Sequence, residues 1–237
     1  RLLANNRALA KPSLDEPTAE KIVEQLLAAK RPLLYVGGGV LLADAATELR
    51  EFAEQLSLPV AHTLMGKGAL PDDHPLILGM TGFWGTKFIN DRCKGADWIL
   101  GLGTRFSEAD CSSWEPAYTF NFPPTRLIQI DIDPAEIGRN YPVAIGAVAD
   151  LKEALKVLNR VARRIAPKGV ERPKLLAEMA AAVDSSLGGV DAFVAVAAVA
   201  DYTPVAPAEI KIKKSRSIKL STAAPMKTWL LAAKKKR

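Results

Sequence analysis

Four glycine-rich strings in this 237-residue chain could bring backbone close to an anion. They are Gly37-Gly38-Gly39, Thr63-Leu64-Met65-Gly66-Lys67-Gly68, Gly79-Met80-Thr81-Gly82-Phe83-Trp84-Gly85-Thr86 and Gly103-Thr104-Arg105-Phe106. Glycine has no Cβ to hold a phosphate away, and the start of a following helix adds partial positive charge. The Arg105 guanidinium could grip a phosphate through two parallel hydrogen bonds. Asp131 or Asp133 could accept hydrogen bonds from a ribose, and Asp150 from a ribose or a base. Two of these carboxylates have a competing role as helix caps. Asp133 precedes Pro134, and Asp150 precedes the periodic run that starts at Leu151. Both roles stay open. None of the glycine strings is GxGxxG, and a glycine turn after a strand is most often only a turn.

Metal and thiol chemistry find less support. His62 and His74 have no partner at metal-ligand spacing and read as structural. Cys93 and Cys111 form no metal-type pair with them. Two cysteines in a chain of this size imply a reducing compartment and no disulfide framework.

The elements that must position these residues follow from hydrophobic periodicity. Residues 1–17 are polar and punctuated by proline, which reads as a linker. Ile22, Val23, Leu26 and Leu27 share one face of a first helix, stopped at Arg31-Pro32. Leu33 to Val36 is a short buried strand running into Gly37. Leu42, Ala46, Leu49, Ala53 and Leu56 stripe a second helix, followed by a strand from Pro59 to His62. Further strands are expected at Asp97–Leu102, Arg126–Asp131 and Val143–Ala147. Leu151, Leu155, Leu158 and Ala162 mark the helix after the last of them. Alternating β and α units of this length predict an α/β fold with a doubly wound parallel sheet, helices on both faces and all four glycine loops on one edge.

Near Ala166-Pro167-Lys168-Gly169 the composition shifts to a second linker. Beyond it lie one helix with Leu175, Leu176, Met179 and Val183, an apolar strand over 191–198, a proline-rich loop and a basic tail. So few core elements are marginal alone, so this small C-terminal α/β extension is expected to pack on the first domain or on another chain. The division predicted is a linker and first helix over 1–30, a nucleotide-binding domain over 31–166 and the extension over 167–237.

The formal charge is +6, much of it after position 160 in Arg163-Arg164, Lys211 to Lys214 and Lys234 to Arg237. A basic tail can meet nucleic acid or anionic lipid. With no aromatics interleaved for base stacking, it reads instead as a solvated terminus, and no nucleic-acid partner is expected. The first residues lack the apolar run of a signal peptide. The longest apolar stretch, 192–200, is far short of the ~20 residues that span a bilayer. A cytoplasmic protein with no membrane partner is the expectation.

Residues 31–160 resemble the central domain of acetolactate synthase-like thiamine diphosphate enzymes. The resemblance rests on Arg31-Pro32 to Val40, Met65-Gly66-Lys67-Gly68-Ala69-Leu70-Pro71 with His74-Pro75, Gly101 to Phe106, and Ile130-Asp131-Ile132-Asp133-Pro134-Ala135-Glu136-Ile137-Gly138. Val143 to Leu158 also fits, and residues 1–30 look like that family's preceding linker. The resemblance implies a Rossmann-like six-stranded parallel sheet that binds FAD in some members, ADP in others and nothing in the rest. It would assign cofactor contacts to Gly37, Gly38, Gly39, Thr63, Gly82, Gly85, Gly103, Thr104, Arg105, Asp131 and Asp150. Where FAD-binding members carry Asp-Asp-Arg after Arg-Phe, this chain has Ser107-Glu108-Ala109, a departure that favours ADP over FAD. The family's activating glutamate and its Gly-Asp-Gly motif for magnesium and diphosphate belong to other domains. No Gly-Asp-Gly occurs in this sequence. Thiamine diphosphate is therefore expected only if partner domains are supplied.

Val190 to Lys214 resembles a different family, phosphopantothenoylcysteine synthetase, the CTP-using ligase of coenzyme A synthesis. Ala197-Ala198-Val199-Ala200-Asp201-Tyr202 and Lys211-Ile212-Lys213-Lys214 carry that likeness. It would place Ala197 and Ala198 at the nucleotide, turn Asp201 toward it, and make Lys211 the catalytic lysine over an acyl-cytidylate, a sensible use of positive charge. The competing reading is a basic surface loop, and the ligase's own glycine-rich half is missing. Three functional expectations result: a non-catalytic module binding ADP or FAD, a fragment or chimera of the CTP-dependent ligase, and a structural or engineered scaffold. The partners expected are an adenine nucleotide and either a homo-oligomer or the missing catalytic domains.

Overall fold

The computed structural model describes residues 10–178, Leu176 excepted. Six strands form one sheet: β1 (Pro32–Val36), β2 (Val60–His62), β3 (Ile77–Met80), β4 (Trp98–Leu102), β5 (Arg126–Asp131) and β6 (Ile145–Val148). Their order is β3-β2-β1-β4-β5-β6, and every neighbouring pair is parallel. The chain leaves β1 toward β2 on one side and returns to β4 on the other, so the direction of winding switches between β1 and β4. That is where open parallel sheets bind ligands.

Strict alternation along the inner strands divides the core. Leu34, Val36, Leu100, Leu102, Ile128 and Ile130 face one layer, while Leu33, Tyr35, Ile99 and Leu127 face the other. Three helices cover the first layer: α1 (Glu16–Ala28), α3 (Ala46–Leu56) and α5 (Leu151–Ile165). Asp15 caps α1 by accepting the Thr18 amide at 2.9 Å, and Ile22, Val23 and Leu26 are its fully buried stripe. Leu151, Leu155, Leu158 and Ala162 are buried on α5, as their spacing predicts. Burying each leucine against the sheet stabilises by roughly 1.5–3 kcal/mol. Arg164, on the outer side of α5, forms ion pairs with Glu16 and Glu20 of α1.

Four details depart from the pattern read in the sequence. The second helix is broken: Gly39–Leu42 forms one turn (α2), and α3 begins only at Ala46. Leu42, placed on that helix's apolar stripe, is 91 % exposed. Residues 77–80, the last two of them expected as the start of a glycine loop, form edge strand β3, whose half-buried Ile-Leu-Gly-Met gives little alternation to read. The last strand begins at Ile145 rather than Val143. Finally, among the described residues the second layer holds only one helix of length, α4 (Lys87–Lys94). The crossover from β4 to β5 contains a single 3-10 turn, Ala109–Cys111. Aromatic packing substitutes for the helix there. Phe106 and Phe120 lie 5.1 and 4.9 Å from Tyr35, and Phe122 and Tyr141 close the cluster.

Past α5 the chain stays fastened to this unit. Gln55 donates to the Ala166 carbonyl, Ser57 to that of Val170, and Arg172 to those of Leu26, Ala29 and Leu56. The expected strand over 191–198 and the basic tail lie outside the described residues. Among the described residues no helix is long and apolar enough to cross a membrane.

Candidate functional site at the carboxyl edge of the sheet

Because all six strands are parallel, the segments after β1, β2, β3 and β4 emerge from one edge. The four glycine strings therefore converge. Gly37 donates to the Leu102 carbonyl at 2.9 Å, Gly39 to that of Gly103 at 3.2 Å, and Gly103 to that of Ile130 at 3.0 Å. A Cβ on Gly37 would overlap the Gly103 carbonyl, and one on Gly103 would sit 2.7 Å from Gly39 Cα. These glycines are needed so that two loops can touch, and the amides of Gly37 and Gly39 are already used. Gly38 lies against Met65 instead.

Thr63 caps the 3-10 turn Leu64–Gly66, accepting the Gly66 amide at 3.0 Å. Gly82, at φ +72°, is held on both sides by Asn90, which accepts from its amide at 2.9 Å and donates to its carbonyl at 3.1 Å. Gly85 donates back to the Gly82 carbonyl at 3.1 Å. Asp110 joins three loops. Its carbonyl accepts from Thr81 at 3.0 Å, and its carboxylate accepts the Leu64 amide at 3.3 Å.

Thr104 is buried, and its carbonyl accepts from Gln129 at 3.1 Å. Arg105 follows it, exposed, with no counter-charge among the described residues. A cation held beside Gly103 without a partner suits an anionic ligand.

The three carboxylates divide. Asp131 ends β5, buried, accepting the Asp133 amide at 3.0 Å. Burial pushes its carboxyl up, with Glu136 and Asp133 adding to the effect and the amides of Asp133 and Ile132 opposing it. Asp133 caps the turn Pro134–Glu136 through the Ala135 amide. Asp150 caps α5, accepting the amides of Lys152 and Glu153 at 3.1 and 3.2 Å, and its second oxygen lies 2.9 Å from Lys11 Nζ. For Asp133 and Asp150 the capping role is the one the geometry displays.

Both histidines are anchored within the fold. His62 Nδ1 lies 2.8 Å from the Thr63 carbonyl, and His74 Nε2 lies 3.0 Å from Glu54 Oε1. Cys93 and Cys111 are buried free thiols, and burial pushes both up. No group of acidic, histidine and cysteine side chains among the described residues is arranged to hold a metal. Lys211, Ala197, Ala198 and Asp201 lie outside the described residues.

Sequence reasoning passed over Gln129, Asn90 and Asp110. Gln129 makes three bonds, two of them buried, to the carbonyls of Thr104 and Glu136 and from the Gly138 amide. A lone amide inside Arg-Leu-Ile-Gln-Ile-Asp was its signal, since a buried polar group needs partners. A hollow of about 400 Å³ lies elsewhere, between the ends of α3 and α5, lined by Glu51, Glu54, Gln55, Arg163 and Lys168. Arg163 is paired with Glu51 there at 2.6 Å. It shares no residue with the glycine loops.

The carboxyl edge presents the Arg105 guanidinium, without a counter-charge among the described residues, a carboxylate at the end of β5 and exposed apolar side chains. Those are Leu64, Met65, Phe83 and Trp84, each at least half exposed. A guanidinium for phosphate and apolar side chains for a ring are groups a nucleotide needs, whereas Asp150 already caps α5 and pairs with Lys11.

Comparison with known proteins agrees with this edge-centred fold. The model of the thiamine pyrophosphate enzyme central domain matches residues 19–158. That of the DNA/pantothenate metabolism flavoprotein C-terminal domain matches residues 146–235, overlapping the first across β6 and the start of α5. Glyoxylate carboligase of Escherichia coli O157:H7 is 41% identical over 160 residues, covering 67% of this chain and 26% of that protein. A probable acetolactate synthase large subunit of Methanocaldococcus jannaschii is 40% identical over 139 residues, 59% of this chain and 23% of the relative. The chain thus spans about a quarter of the length of these relatives. Benzoylformate decarboxylase from Polynucleobacter necessarius shares the fold, with a TM-score of 0.53 and 24% identity over 65% of this chain and 28% of that one. With a family model covering more than half of its residues and a six-stranded parallel sheet beneath it, the chain belongs to the thiamine pyrophosphate enzyme central-domain family.

Proposed function

We propose that this domain binds an adenine nucleotide, ADP in preference to FAD, at the carboxyl edge of its sheet, and that it serves a thiamine diphosphate-dependent carboligase or lyase without itself carrying out chemistry. The observation that carries the reading is Arg105 beside Gly103, exposed and without a counter-charge among the described residues, at the switch between β1 and β4. Arg105 would take the phosphates, Asp131 would accept from the ribose, and the Gly38, Thr63, Gly82 and Gly85 loops would line the path. Thr104 and the remaining glycines support the site through packing. ADP would supply binding energy and order, and no reactive group. Catalysis, with thiamine diphosphate and magnesium, belongs to partner domains, in an oligomer of the kind such enzymes form.

A second reading has one specific observation in its favour, the flavoprotein-domain match over 146–235. On that reading the C-terminal part descends from a CTP-dependent phosphopantothenate–cysteine ligase, with Lys211, Asp201, Ala197 and Ala198 at its nucleotide. Native mass spectrometry of the purified chain, followed by titration with ADP, FAD and CTP, tests both. Micromolar ADP binding is expected. Binding of CTP alone would replace the first reading with the second, and binding of none would leave a structural module.

A further inference from the structure

His62 is the last residue of β2, in register with Val36 and Met80, so its ring stands level with the points where the loops after β1 and β3 begin. The residue is 4 % exposed. Its Nδ1 lies 2.8 Å from the Thr63 carbonyl. A carbonyl can only accept, so Nδ1 carries the hydrogen and Nε2 of the neutral ring carries a lone pair. Burial pushes the imidazole below its ordinary range, against the Thr63 bond and the nearby Asp72 and Asp110, with Lys67 acting in the same direction as burial. The neutral form is thus the resting state at neutral pH.

Nε2 has no hydrogen-bond partner among the described residues. The atoms sealed from solvent without a partner are Glu48 Oε2, Glu136 Oε2 and Tyr141 Oη. Nε2 is not among them, and the residue keeps a small opening to solvent. A bare imidazole nitrogen in such a place is a metal ligand, a base or a hydrogen-bond acceptor. No companion metal ligands surround it among the described residues.

We propose that His62 Nε2 is a ligand-binding acceptor, taking a hydroxyl or amino hydrogen of the nucleotide held at the carboxyl edge. This rests on the nucleotide reading above and adds a specificity residue to it. The Thr63 carbonyl fixes the tautomer, so the ring offers an acceptor and never a donor at Nε2. A ligand presenting a carbonyl or phosphate oxygen there would meet a lone pair and be rejected.

Two variants separate the ring's nitrogens. In His62→Asn the side-chain amide occupies the place of Nδ1 and keeps the bond to Thr63, but nothing remains at Nε2. In His62→Gln an amide oxygen returns to the Nε2 position. Calorimetry with ADP should show about five- to tenfold weaker binding for His62→Asn, the usual size of one neutral hydrogen bond, and partial recovery for His62→Gln. IDP, which lacks the 6-amino group, and 2′-deoxy-ADP locate the donor. Whichever analogue loses affinity on the parent chain should lose nothing further on His62→Asn. Nitrogen NMR of the histidine ring gives an independent readout. The free protein should show Nδ1 protonated and Nε2 bare, with Nε2 moving upfield on ADP addition. Equal ADP affinity in parent and His62→Asn, or a protonated Nε2 at neutral pH, would overturn the assignment while leaving the nucleotide reading intact. A parent chain that binds no adenine nucleotide would overturn both.

Discussion

The Asp150 carboxylate is shared between the first turn of α5 and Lys11, whose ammonium lies 2.9 Å from its second oxygen. The Pro12 carbonyl accepts the Asp150 amide at 2.8 Å, so the residue fastens the segment preceding α1 to the helix that α1 packs on. Burial alone raises the carboxyl, but Lys11 and the amides of Glu153 and Lys152 outweigh it and hold the group below the usual range. Asp150→Ala should cost about 1–2 kcal/mol, the usual loss for a helix cap. A carboxyl depressed in the folded state stabilises fully above its unfolded value near 4 and loses that contribution as pH falls through the folded value. Urea unfolding of parent and variant should therefore differ at pH 7 and converge in acid. ADP affinity should be unchanged, and a tenfold loss would restore Asp150 to the ligand contacts.

Arg105 gives the opposite expectation. Its guanidinium is exposed and carries no ion pair among the described residues, so the fold does not depend on it. A charge-assisted hydrogen bond is worth ~1.5–3 kcal/mol. Arg105→Ala should weaken ADP roughly ten- to a hundredfold while leaving the melting temperature in place. Calorimetry that finds equal affinities would move the phosphates away from this loop.

Gly37 and Gly103 mark where the sequence was legible and where it was not. That glycines end the strands and gather at one edge could be read from periodicity alone, because parallel strands all point the same way. What each glycine does could not. Gly37 is glycine because the Gly103 carbonyl occupies the space of its Cβ, a contact between segments 66 positions apart in the chain. Asp150 was ambiguous for a similar reason: a cap is a local pattern, whereas Lys11 comes from the far end of the domain. The aromatic cluster over β4 and β5 gave no periodic signal, since Phe106, Phe120, Phe122 and Tyr141 meet only in space. Gly37→Ala should destabilise by about 1–3 kcal/mol, the typical cost of overpacking. Gly68→Ala is a useful control. A Cβ there meets nothing within 4 Å, although φ is +87°, so only the backbone cost applies. If Gly37→Ala melts no lower than Gly68→Ala, the close approach of the two loops is not a constraint on stability.

The last prediction is that the chain supplied alone performs neither candidate reaction. Thiamine-dependent carboligation needs a carboxylate to activate the cofactor ring and a metal site for its diphosphate. Among the described residues no cluster can hold a metal, and the sequence contains no Gly-Asp-Gly. At the carboxyl edge Asp131 bonds to the Asp133 amide, and Glu136 to Arg139 at 2.9 Å. Neither belongs to a cluster of side chains arranged to hold a metal. Ligation of cysteine to phosphopantothenate needs CTP gripped from both sides, and the sequence offers only Lys211, Asp201 and the neighbouring alanines. Preorganised contacts supply most of an enzyme's transition-state stabilisation, so an isolated lysine adds little to solution chemistry. The purified chain would be incubated with pyruvate, thiamine diphosphate and magnesium in one tube, and with phosphopantothenate, CTP and cysteine in another. Product at the no-protein rate is expected in both. Acetolactate in the first would mean that this domain carries catalytic groups of its own. CMP release in the second, abolished by Lys211→Ala, would make the ligase reading the primary one and reduce the nucleotide edge to a supporting role.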